Sequence, residues 1–144
     1  MRQAHASLEA ALQDMPRQVG AKPRAVLMIS AQWEAPEFRV MSGARPGTFH
    51  DDRGFAAHTG AVRYPAPGAP EVAARVQSLV TAAGMRCATN GERAFDHGVF
   101  APMAVIYPEA DGPMLQLSMK QGYDPQEERF MSVAGVSSHR FDRA

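Results

Sequence analysis

The run AVLMISA, residues 25–31, constrains this chain more than any other stretch. It is apolar apart from Ser30, carries no charge, and lies between Lys22-Pro23-Arg24 and Gln32-Trp33-Glu34. A strand of that kind has no polar face to turn to water and must be covered on both sides, as in a parallel sheet with helices packed on it.

The rest of the chain supplies such helices. Leu8, Leu12, Met15 and Val19 recur at helical spacing, which predicts an amphipathic helix at the start, bent or ended by Pro16. EFRVMS, residues 37–42, alternates: Phe38 and Val40 face one way, Glu37, Arg39 and Met41 the other. It predicts a second, more exposed strand near a sheet edge. The Gly-, Pro- and Asp-rich residues 43–55 are loop, FAAHTGAVRY is a candidate short helix, and YPAPGAP is a rigid extended turn.

PEVAARVQSLVTAAG is the clearest helix. Pro70 suits its first position, Val72, Val76, Leu79, Val80 and Ala83 form one stripe, and Gly84 ends it. MRCAT is a short strand. FDHGVFAPMAVIYP is a loop entering a helix with Val99, Met103, Ile106 and Tyr107 on its inner face. PMLQLSM is a further strand with Leu115, Leu117 and Met119 on one side. Strands alternating with helices define an α/β class, a mostly parallel sheet with helices on its faces. No repeat or linker divides residues 1–144, so one domain is expected, with a divergent tail over 126–144.

At this length, a domain buries roughly 68–70% of the surface its unfolded chain exposes. Lys and Arg together number 15, as do Asp and Glu, and no basic run occurs, which argues against nucleic acid as a partner and leaves a small, uncharged or singly charged substrate open. The single cysteine, Cys87, excludes an internal disulfide and a paired-cysteine zinc site; in MRCAT it reads as a buried, inert thiol. No apolar segment approaches a membrane span and none resembles a secretion signal, so a cytoplasmic protein is expected.

In open α/β sheets ligands bind beyond the carboxyl ends of strands. Three polar stretches fall there: Gln32-Trp33-Glu34, Thr48 to Asp52, and Asp96-His97-Gly98. His97 begins a helix, where the positive end of the macrodipole disfavours an imidazolium and suits a general base. Asp96 can cap that helix, in which case His97 is incidental. His50 with Asp51 and Asp52 reads either as a carboxylate–imidazole cluster or as a solvated turn. Trp33 and Tyr64 either line an aromatic pocket or belong to the core.

Taken in order and spacing, VLMISAQWE, PGTFHDDRGF, VRYPAPGAPEVAARV and FDHGVFAPMAVIYPEADGPMLQLSM resemble the class III extradiol ring-cleavage dioxygenases. The nearest branch includes DOPA 4,5-dioxygenase and is related to the β subunit of protocatechuate 4,5-dioxygenase. The resemblance runs from Lys22 to Asp124. It implies dioxygen-dependent opening of a catechol-type ring at a non-haem Fe(II), or in some members Zn(II), and a site with open metal positions. It places His97, in FDHG, at the family's acid–base position, and His50, in TFHD, in the active-site loop, where it positions substrate. Apart from the resemblance, Gln32, whose amide can hold a water or a substrate oxygen, and Tyr64, as a pocket aromatic, are further substrate-binding candidates.

The sequence departs from the family in its metal ligands. The family's Ser-Ala-His-Trp motif supplies a ligand histidine where this chain has Gln32. A His-Gly-Ser-Pro-like strand end that gives another ligand would precede the first residue, and the remaining ligands lie beyond the matching stretch. His139 is followed by Arg140 rather than asparagine and is not assigned a ligand role. The expectation is therefore a truncated version of the fold with no intact metal site. Its uncovered edges predict self-association or a partner subunit.

Overall fold

The computed structural model describes residues 2–49, 63–122 and 124–126. Its elements are α1 (Arg2–Val19), β1 (Val26–Ala35), β2 (Phe38–Met41), α2 (Pro70–Ala82), β3 (Cys87–Asn90), α3 (His97–Ile106) and β4 (Met114–Lys120). The strands form one sheet in the order β1-β4-β2-β3. β1 and β4 are parallel, as are β2 and β3, while β2 and β4 are antiparallel. Two of the three pairings are thus parallel and the sheet is mixed. The candidate helix in FAAHTGAVRY lies almost entirely outside the described residues.

The position of β2 differs from the sequence expectation. Alternation predicted an exposed strand near an edge, but β2 lies between β4 and β3, with Phe38, Val40 and Met41 almost fully buried and Arg39 half-buried. Among the described residues the edge strands are β1 and β3. α2 packs on β2 and β3, and the extended segment 64–69 adds Tyr64, Ala66 and Ala69 to the core around them.

That segment is stitched in by its backbone. Gly68 donates to Ala44 O at 2.8 Å, Met114 donates to Pro67 O at 2.8 Å, and Tyr64 N reaches Thr48 Oγ1 at 3.0 Å. The approach demands glycine: a Cβ on Gly68 would stand 1.8 Å from Gly43 O.

α2 forms as predicted, with Pro70 in its first turn and Ala73, Val76 and Val80 buried at helical spacing. Gly84 follows it at φ +86°, the left-handed conformation that closes many helices. In α3 the buried residues are Val99, Phe100 and Met103, with Ile106 and Tyr107 half-buried, so Phe100 takes an inner position that the predicted face did not include. Pro16 lies within α1, which continues to Val19. The apolar stripe of α1 stays largely uncovered: Leu8 is 58% exposed, Met15 42% and Val19 48%, although α1 packs on α3. Ile29, on edge strand β1, is also exposed.

Candidate active site at the bulge of β1 and the start of α3

The sheet places one irregularity where it matters. On β1, Ser30 pairs with Ser118 and the next pair is Glu34 with Met119, so β1 carries three extra residues, 31–33, against none on β4. Bulges of this sort bend a strand and re-aim its side chains. Each flank of the bulge is tied to the segment that enters α3. Ser30 Oγ donates to the Asp96 carboxylate, 2.8 and 2.7 Å from its two oxygens. Gln32 Oε1 accepts the Gly98 N–H at 3.0 Å. Arg93 stacks on the Trp33 ring, its Cζ 4.8 Å from the ring centroid.

Asp96 occupies the N-cap position of α3, but its side chain makes no capping bond. The sequence expectation of an aspartate cap is corrected here, and the reason lies in the sheet. The carboxylate turns inward, where Gln116 Nε2 (2.9 Å) and Arg93 (3.1 Å) donate to it alongside Ser30, and the Asp96 N–H donates to Gln116 Oε1 at 2.9 Å. Asp96 is 3% exposed, and a buried carboxylate is tolerable only when charged and neutral donors surround it. An orphan N–H at the head of α3 is served instead by Gln32, from another element. Gly98 suits the close approach: a Cβ there would meet Asp96 Oδ1 at 3.3 Å and Ser30 Oγ at 3.4 Å.

His97 lies between these two anchored residues, half-buried, with its ring edge-on to Phe100 at 5.2 Å between centroids. Gln32 and Gly98 are exposed, so solvent or a ligand can reach this surface. The structure thus brings Gln32 and His97 to one place.

It puts Tyr64 elsewhere. Tyr64 is buried, donates its hydroxyl to Tyr107 O at 2.9 Å beyond the far end of α3, and meets Phe95 edge-on. Ten helical residues at 1.5 Å each set that end about 15 Å from His97. Burial first, then the Asp111 and Glu109 carboxylates, push the Tyr64 phenol above its ordinary range. Its place is that of a core tyrosine. His50, Asp51 and Asp52 lie outside the described residues. The described neighbour Phe49 donates to Phe95 O at 2.8 Å, and Thr48 bridges Phe95 in parallel, so this short stretch runs beside the residue before Asp96.

Ser30, Arg93 and Gln116 went unnoticed in the sequence. A signal was present: Gln116 and Ser118 alternate with leucines, and Ser30 interrupts an otherwise apolar run. Buried polar groups need partners, and these point to a polar network.

A metal centre requires three or more convergent imidazole, thiolate or carboxylate donors. Among the described residues no such group of His, Cys, Asp or Glu is present. Asp96 is already engaged by three donors, and the oxygen of Gln32 is taken by Gly98. The described residues do not fit a metal.

The fold is a mixed α/β sheet with helices packed on it, and comparison with known proteins gives its family. Residues 2–132 match the family model described as the catalytic LigB subunit of aromatic ring-opening dioxygenase; the chain belongs to this family. It is 41% identical over 104 residues to the 4,5-DOPA dioxygenase extradiol of Beta vulgaris, a match covering 72% of this chain and 39% of that protein. To the protein of the same name from Escherichia coli K12 it is 36% identical over 99 residues, 68% of this chain and 36% of that one. The crystal structure of an uncharacterized Escherichia coli K12 protein superposes with a TM-score of 0.59 at 29% identity, covering 77% of this chain and 39% of that one. The chain therefore spans about two-fifths of the length of the curated relatives it matches.

Proposed function

We propose that this chain recognises a catechol-type aromatic at the surface formed by Gln32, His97 and Gly98, and that ring opening does not run on this chain by itself. The observation that carries the reading is the engagement of Gln32. Its side-chain oxygen, at the position of a family ligand, is bonded to Gly98 N, and the described residues offer no alternative set of ligands. The family resemblance implies Fe(II) or Zn(II). The described residues do not by themselves supply a ligand set for such an ion.

In this reading His97 is the acid–base group that takes a proton from a catechol hydroxyl or returns it. The Nε2 hydrogens of Gln32 serve as donors to a substrate oxygen. By the family resemblance, His50 is the residue that positions the ring. Tyr64 contributes to the core rather than to substrate. The uncovered apolar residues Leu8, Met15, Val19 and Ile29 favour self-association or a partner subunit in a cytoplasmic assembly. Neither nucleic acid nor a membrane has a part in it. Among the described residues no helix is long and apolar enough to cross a membrane.

The test is titration of the purified chain with 4-nitrocatechol, followed by its visible absorbance, beside oxygen uptake with the same compound. Saturable binding that His97→Gln weakens, with no oxygen consumed above the protein-free rate, is the expected outcome. Sustained oxygen uptake by the chain alone contradicts the proposal.

A further inference from the structure

We propose that Ser30 and Gln116 are positioning residues for His97, acting through the Asp96 carboxylate that they hold. The inference rests on the reading of His97 as the acid–base group.

Asp96 is fixed at both its backbone and its side chain. Gln116 alone makes two bonds to it, accepting the Asp96 N–H at 2.9 Å and donating to Oδ2 at 2.9 Å, while Ser30 bridges both carboxylate oxygens. Ser30 and Gln116 are buried, 1% and 0% exposed, on β1 and β4, the parallel pair that closes one side of the sheet. The residue before His97 is therefore bolted to the sheet. The residue after it, Gly98, is held by Gln32. With both neighbours fixed, His97 retains little but its side-chain torsions, and the Phe100 ring, perpendicular to it at 5.2 Å, limits those.

A role confined to stability would call for a simpler arrangement. An N-cap aspartate ordinarily accepts an N–H from the first turn of its own helix. Here that carboxylate is withdrawn from the helix and spent on the sheet, and the cap is provided by another strand. Burying a carboxylate is unfavourable and requires Ser30, Gln116 and Arg93 together to offset it. What the arrangement secures is the orientation of the turn that carries His97.

The experiment uses the full chain and the variants Ser30→Ala, Asp96→Asn and Ser30→Thr, with two readouts. One is the set of His97 ring signals by NMR on isotope-labelled histidine, assigned with His97→Gln. The other is the dissociation constant for 4-nitrocatechol. Ser30→Ala and Asp96→Asn are expected to unfold cooperatively, to move the His97 ring signals, and to weaken binding about tenfold through the misplaced imidazole. Ser30→Thr, which keeps the hydroxyl, restores both. Asp96→Asn keeps the side-chain volume and carries the same readouts should Ser30→Ala fail to fold. His97 signals coincident with the parent chain in the folded variants overturn the positioning role. A parent chain that does not bind 4-nitrocatechol, while the variants still move the His97 signals, removes the catechol reading and leaves the positioning intact.

Discussion

The side-chain oxygen of Gln32 lies 3.0 Å from the backbone nitrogen of Gly98, 66 residues further along the chain. Through that bond the bulge of β1 closes the first turn of α3, and the Gln32 amide oxygen has a structural partner that any other ligand would have to displace.

Removing the acceptor tests the bond. Gln32→Ala is expected to lower stability by about 1 kcal/mol, the usual cost of a lost helix cap. Gln32→Glu keeps an acceptor and adds a negative charge at the positive end of the helix, so it should fall within about 0.5 kcal/mol of the parent or above it. Urea unfolding of the two variants gives the ranking; equal stabilities for alanine and glutamate would show that the cap contributes nothing.

Gly68→Ala addresses the stitching of the extended segment. Its Cβ would be driven to 1.8 Å from Gly43 O, a backbone atom that cannot move aside alone. A loss of about 3 kcal/mol or more is expected, at the upper end of overpacking costs. A variant as stable as the parent in urea would contradict the close approach of these two segments.

Cys87 gives a pH dependence. Burial first, then the Glu37 carboxylate, push its thiol up from 9.0 to about 11. The raised value favours the protonated form in the folded state, so its contribution is complete below pH 9 and is lost as pH rises from 9 to about 11. Thermal midpoints across that range should fall less steeply for Cys87→Ala than for the parent. In the folded chain at pH 8 the thiol should react slowly with a disulfide reagent. Rapid reaction would show that Cys87 is not enclosed.

The exposed stripe of α1 and Ile29 of β1 predict association. Sedimentation equilibrium should give a mass above that of one chain, and Leu8→Glu with Met15→Glu should lower it. A monomer over a wide concentration range would contradict this expectation.

What could be read from the sequence was what is local. The 3.6-residue stripe of α2 fixes its own element, because burial on one face leaves its mark along a few consecutive residues. The apolar run of β1 marks a strand but not the covering on both faces expected of it: β1 ends the described sheet, with Val26, Leu27 and Met28 half-buried and Ile29 exposed. The place of β2 in the sheet is different in kind. Four alternating residues say which side chains share a face but not which strands lie on either side, and the neighbours of β2 come from residues 87–90 and 114–120. The bulge at residues 31–33 is a mismatch between two strands and exists in neither alone. For the same reason Asp96 reads as a helix cap until Gln116, 20 residues on, and Ser30, 66 residues back, are seen to hold it. His97 could be singled out because its position at a helix start and its motif are both short-range features; the network that fixes its neighbours is not.

The central claim is that this chain by itself holds no catalytic metal. The direct measurement is metal content after anaerobic incubation with Fe(II), and separately with Zn(II), followed by desalting. The account predicts that almost no metal remains with the chain in either case. Retention near one ion per chain would contradict it, and would mean that residues beyond those described, or a second copy, complete a metal site around Gln32 and His97.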